Sequence, residues 1–138
     1  NAASAQNFTI TVNNNCSDTL SVATYGMNSA FLITQESATH VIEPNCNANV
    51  STSYYGIGMR LSANADKPVA SQYLPQGMFE YGYSNANGLE GTAYDLSLMG
   101  FSGPGVKVVP GHSDCEAKCC TPDNCPTDQG WTNPAQGY

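Results

Sequence analysis

Two carboxylates carry the most specific chemistry in this sequence. Glu80 sits in Phe79-Glu80-Tyr81-Gly82-Tyr83, and Asp95 sits in Ala93-Tyr94-Asp95-Leu96-Ser97. Between the two runs lies Asn87-Gly88, a dipeptide that tolerates the positive φ angles of a tight hairpin turn. A hairpin centred there places Phe79 opposite Leu96, Tyr81 opposite Tyr94, and Glu80 opposite Asp95. Directly opposed residues have Cβ atoms roughly 5 Å apart, and like charges so placed repel. Such a pair requires a cation, a proton or a ligand. Two carboxyl groups on one face can hydrolyse a glycosidic bond, one as general acid and the other as base or nucleophile. Separations of about 5–5.5 Å suit a retaining mechanism and about 6.5–9.5 Å an inverting one. Glu80 would be the acid and Asp95 the base or nucleophile. The alternative is structural: Arg60, the sole arginine of the chain, neutralises both carboxylates in one ion-pair network.

The surrounding elements read as strands. Phe8, Ile10 and Val12 alternate with threonines, so residues 8–12 form a strand, stopped by Asn13-Asn14-Asn15. Leu20, Val22 and Thr24 make a second strand, which the short polar turn predicts as the hairpin partner of the first. Phe31, Leu32 and Ile33 lie in the stretch that follows. Thr39–Ile42 then precedes the turn signal Glu43-Pro44-Asn45, and 50–55 and 57–62 are further strands, with Gly56 and Gly58 suggesting a bulge or bend. Residues 63–77 read as a loop with two prolines. After the 79–98 hairpin, a Gly/Pro-rich turn leads to a last strand at 106–109, closed by Pro110. From Gly111 onward the chain has almost no aliphatic residues and reads as irregular. Neither a helix nor an internal repeat is predicted. Short strands separated by turns predict an all-β, antiparallel β-sandwich or flattened barrel. It would be a single domain over residues 1–138, with a β core at 7–110 and a Cys-rich tail at 111–138.

Composition narrows the partners. Only 11 % of the 138 residues are charged, and eleven acids against four bases give a net charge of −7. Such a chain lacks the Lys/Arg patches that nucleic acid or anionic membrane demands, so neither is expected as a partner. No apolar run approaches the ~20 residues of a membrane span. The chain starts at Asn1 without a methionine and reads as the mature form of a secreted protein. Six cysteines, Cys16, Cys46, Cys115, Cys119, Cys120 and Cys125, predict three disulfides made in an oxidising compartment. Their irregular spacing argues against zinc. Cys119 and Cys120 should bond elsewhere than to each other, and Cys16 or Cys46 reaching the terminal cluster would staple the tail to the sheet. Sequons stand at Asn7, Asn15 and Asn49; Asn7 and Asn49 are the expected glycosylation sites.

Aromatic residues supply a case for sugar binding. Tyr54, Tyr55, Tyr73, Tyr81, Tyr83 and Tyr94 offer flat faces and hydroxyls, although about half of them are needed for the core. Tyr54 and Tyr55 point to opposite faces, so one of them is free of the core. Trp131 lies in the tail and suits packing as well as binding. His40 and His112 belong to no catalytic arrangement, the Gly-rich segments lack a phosphate-loop lysine, and Asp123 and Asp128 match no calcium-loop spacing. Neither a metal nor a cofactor is expected.

With these residues in view, the chain resembles the thaumatin-like proteins. FTITVNNNCSDTLSVA is similar to their opening strand–turn–strand, GMRLS to the strand that carries a single arginine, and FEYGY to the glutamate strand. AYDLSLMGFSGPGVKVVP is similar to their Tyr-Asp-Val-Ser strand, Gly-Phe turn and proline-ended strand. The likeness covers residues 7–110 in order. The chain is closer in size to the small fungal forms, the antigenic and yeast-phase-specific surface proteins, than to the plant proteins, whose second domain it lacks. The resemblance implies a secreted or wall-associated monomer in which Arg60, Glu80 and Asp95 belong to an acidic cleft. Thr92 stands where the family has one of its aspartates, and the aspartate of the second domain has no counterpart. Three functions follow. The first is binding of cell-wall carbohydrate, β-1,3-glucan, through Arg60, Tyr54, Tyr81 and Tyr94 with the acidic pair. The second is endo-β-1,3-glucan hydrolysis by Glu80 and Asp95. The third is recognition of a host protein by a surface antigen or effector.

Overall fold

A computed structural model describes residues 7–53, 58–62, 77–84, 91–98 and 103–130. Among them there is no helix. Ten strands follow in chain order: β1 (Asn7–Asn13), β2 (Leu20–Met27), β3 (Ile33–Gln35), β4 (His40–Ile42), β5 (Asn47–Ser53), β6 (Gly58–Ser62), β7 (Gly77–Ser84), β8 (Gly91–Ser97), β9 (Val106–Val108) and β10 (Lys118–Cys120). All pairings are antiparallel. The main sheet runs β3-β2-β6-β7-β8, with β4 beside β3 on the same edge of β2. β3 pairs with Tyr25–Met27 and β4 with Leu20–Val22. Thr24 lies between those two stretches. Its carbonyl accepts the Glu36 N–H at 2.8 Å, and its own N–H donates to Ser37 Oγ at 2.9 Å.

The first strand does not pair with the second, as the short turn predicted. β1 forms a separate two-stranded sheet with β5, from Asn7↔Ser53 to Asn13↔Asn47. The reason is Asn14, which is 3 % exposed. Its Nδ2 donates to the carbonyls of Asp18 (2.8 Å) and Ile42 (2.9 Å), while its Oδ1 accepts the Cys16 N–H at 3.1 Å. Its backbone N–H reaches the Cys46 carbonyl, and its carbonyl accepts from Asn45. A side chain that satisfies three backbone groups of two turns carries the chain from one sheet to the other instead of folding it back. Asn45 adopts φ 61°, a left-handed conformation that asparagine tolerates.

The two sheets share one core. Phe8, Ile10, Val12 and Ala48 pack against buried Val22, Val50, Met59, Tyr81 and Leu96. The Phe8 and Tyr81 rings meet edge to face, with centroids 5.4 Å apart. The Thr52 and Tyr81 hydroxyls hydrogen-bond at 2.5 Å across the two layers.

The tail departs from expectation twice. Lys118–Cys120 is not irregular but pairs with β9, Cys120 opposite Val106. Of the three expected disulfides, one is present, Cys120–Cys125, and it lies wholly within the tail. Cys16, Cys46, Cys115 and Cys119 are thiols. The tail is attached to the main sheet by packing instead: Cys120 is buried in the core, and Gly130 lies so close to β8 that a Cβ there would stand 2.5 Å from the Leu96 carbonyl oxygen.

Candidate acidic face and apolar recess

β7 and β8 set the register expected from the sequence: Phe79↔Leu96, Glu80↔Asp95 and Tyr81↔Tyr94. The two carboxylate residues are therefore direct cross-strand neighbours, and both are half-buried. Asp95 Oδ1 also accepts the Leu96 N–H at 2.8 Å. Because side chains alternate along a strand, the same register that joins Glu80 to Asp95 puts Phe79, Tyr81, Tyr94 and Leu96 on the other face, in or against the core. On the carboxylate side, Ser21, Ala23 and Ser97 are buried. Glu80 and Asp95 stand where that face becomes accessible.

The remaining expected site residues do not all join the pair. The Arg60 backbone pairs with Met78 and with Ala23, two residues along β7 from Glu80; its side chain lies outside the described parts, as do Tyr54, Tyr55, Tyr73, Glu90 and Trp131. Thr92 pairs with Tyr83, three residues along β8 from Asp95. Tyr81 is 4 % exposed; burial pushes its phenol up to about 12, the Thr52 hydroxyl draws it back, and the Glu36 carboxylate adds to the rise. A ring so enclosed offers no surface for stacking a sugar, which corrects its place in the binding set. Tyr94 remains half-exposed and donates its hydroxyl to the Glu116 carbonyl, tying β8 to the tail. Asn7, Asn15 and Asn49 are all exposed, and Asn49 Oδ1 accepts the Thr11 hydroxyl at 2.9 Å. His112 Nδ1 lies 3.8 Å from Asp114 Oδ2 in the exposed tail. Among the described residues no His, Cys, Asp and Glu side chains are grouped to hold a metal ion.

Two features escaped the sequence reading. The first is an apolar recess of about 800 Å³ on the core side, between β1 and β9 and floored by Met59, Phe79, Tyr81 and Tyr94. Lys107 lies on its wall, and neither Glu80 nor Asp95 lines it. The second is the β2–β3 turn, where Phe31 is 83 % and Leu32 62 % exposed. The run Phe31-Leu32-Ile33 signals a strand by composition, yet only Ile33 enters one. No protein-family model, curated protein or solved structure matches the chain.

Proposed function

We propose that this chain is a secreted protein of the small thaumatin-like type that binds cell-wall carbohydrate, β-1,3-glucan, at the Glu80–Asp95 face. The direct opposition of these two carboxylates on β7 and β8 carries the reading. Paired carboxylates accept hydrogen bonds from vicinal sugar hydroxyls, and hydrogen bonds to an ionised acceptor are roughly twice as strong as those between neutral groups. The landmarks behind the resemblance also support it: the arginine, glutamate and aspartate residues fall on three consecutive strands, β6, β7 and β8, of one sheet. Hydrolysis is the second reading, since it requires in addition that the scissile bond be held in place between the pair, and among the described residues Tyr81 and Tyr94 lie on the opposite side of the hairpin.

The test is pull-down on insoluble β-1,3-glucan together with an assay of reducing ends. Wild-type protein is expected to bind without releasing sugar, and Glu80→Gln and Asp95→Asn are each expected to weaken binding several-fold. Release of reducing ends that is lost in both variants would assign a glycosidase instead. Absence of both binding and release would remove the carbohydrate reading in favour of a protein partner.

A further inference from the structure

Two of the three sequons lie in strands, and the structure brings them to one face. On β1, Asn7, Thr9, Thr11 and Asn13 point outward, opposite four residues of β5 that are each asparagine or serine. All eight are exposed except half-buried Ser53. The alternate residues, such as Phe8, Ile10 and Val50, turn inward to the core. The chain holds eleven acids and four bases, yet none falls on this face. Nor does an aromatic side chain, a methionine or an arginine, the residues that anchor protein interfaces. A neutral layer of hydroxyls and amides suits hydrated sugar better than a protein partner.

A sequon is Asn-x-Ser/Thr, and residues two apart in a strand share a face. Asn7 and Thr9 therefore stand together on β1, as do Asn49 and Ser51 on β5. Thr9 is directly opposite Ser51, so the sequons meet at their hydroxyl residues and their asparagines lie diagonally apart. Asn7 is four residues along β1 from Thr11, the partner of Asn49, which separates the attachment points by ~13 Å at ~3.3 Å per residue. The Thr11 hydroxyl donates to Asn49 Oδ1 at 2.9 Å. That bond uses the amide oxygen and leaves Nδ2, the atom that carries a glycan, without a hydrogen-bond partner among the described residues. The third sequon stands elsewhere, with Asn15 on the β1–β9 recess.

We infer that the outer face of the β1–β5 sheet is the glycan-bearing side of the molecule, with N-linked glycans on both Asn7 and Asn49. This goes beyond carbohydrate binding at Glu80 and Asp95, and of that reading it rests only on secretion. The donor is a lipid-diphosphate oligosaccharide. Asn Nδ2 forms a bond to its anomeric carbon, and the bond from that carbon to the diphosphate oxygen breaks. The amide gives up one proton, and the lipid diphosphate leaves. The folded chain has room for the product, since both asparagines are exposed. Phe8 on β1 packs against Tyr81 on the core side of β7, whereas Glu80 and Asp95 lie on the other side of β7 and β8. Glycans and carboxylates thus occupy opposite outer faces, on two layers packed about 10 Å apart.

The test uses the full chain secreted by a eukaryotic host. Peptide-N-glycosidase in heavy-oxygen water releases each glycan and leaves a labelled aspartate, which peptide mass analysis locates. Label is expected at both Asn7 and Asn49. Asn7→Gln and Asn49→Gln are each expected to lose one glycan and keep the other. A secreted chain with either asparagine unmodified overturns the inference. The intact and the enzyme-treated chain are expected to bind β-1,3-glucan equally. Binding gained on removal of the glycans would overturn their placement away from Glu80 and Asp95. Binding absent from both forms would count against the carbohydrate reading alone, with label at both sites still supporting the glycan-bearing face.

Discussion

Single residues divide sharply between those the sequence announced and those it hid. Glu80 and Asp95 were legible because alternation and one turn dipeptide fix a register, and a register assigns every neighbour at once. Asn14 was not, because nothing in the run Asn13-Asn14-Asn15 shows which asparagine turns inward. Asn14→Ala would leave the Asp18 and Ile42 carbonyls without their donor. Orphaned buried groups cost about 1–3 kcal/mol each, and a loss of about 3 kcal/mol is expected in urea denaturation. Tyr81 hides its role differently, since a tyrosine in an alternating strand is equally suited to core and to ligand. Tyr81→Phe leaves the Thr52 hydroxyl unpaired and is expected to cost about 1–3 kcal/mol at neutral pH. Its proton also links stability to pH. The folded phenol is pushed up to about 12, against 10.0 for an ordinary tyrosine, so from pH 10 to 12 the folded state holds a proton that the unfolded chain releases. Stability is complete below pH 10 and falls as pH rises through 12, by up to about 3 kcal/mol. The wild-type advantage over Tyr81→Phe should therefore shrink across that window when urea midpoints are compared at pH 9, 10, 11 and 12.

At the scale of elements, local pairing was readable and long-range pairing was not. The β7–β8 hairpin follows from its own twenty residues, whereas β1 takes its partner from β5, across some forty residues, and no local pattern encodes that choice. A short polar turn between two alternating strands normally makes a hairpin; here the Asn14 side chain redirects it. The tail illustrates the opposite difficulty. Its Pro, Asp and Cys content signals irregularity, yet Lys118–Cys120 finds an edge at β9. Docking of this segment depends on Gly130. Adding a methyl group there brings it to 2.5 Å from a backbone oxygen and about 3 Å from both disulfide sulfurs, atoms that cannot rotate away. Gly130→Ala is expected to destabilise the protein by about 1–3 kcal/mol and to speed proteolytic cleavage between Cys120 and the C terminus.

For the molecule as a whole, composition forecast an all-β chain, and the antiparallel sheets agree with it. It did not forecast the cysteine chemistry. An even cysteine count implies pairing only if the fold brings the thiols together, and the turn flanked by Cys16 and the strand start at Cys46 belong to the sheets, not to the tail. Native alkylation with iodoacetamide should add four carbamidomethyl groups per chain, rapidly at exposed Cys46, Cys115 and Cys119 and more slowly at half-buried Cys16. Fewer than four additions would reveal further bridges.

The separation of β1 from β5 also has a consequence in time. Hairpins such as β7–β8 close within about 1–10 μs, but β1 leaves the ribosome before its partner exists. Thirty-four residues separate Asn13 from Asn47, and forty-six separate Asn7 from Ser53, counted as differences in residue number. At ~5–20 residues per second, Phe8, Ile10 and Val12 wait about 2–9 s without a partner strand. Among the described strands β1 thus waits longest for its first partner, and during that interval it is the natural target for a chaperone.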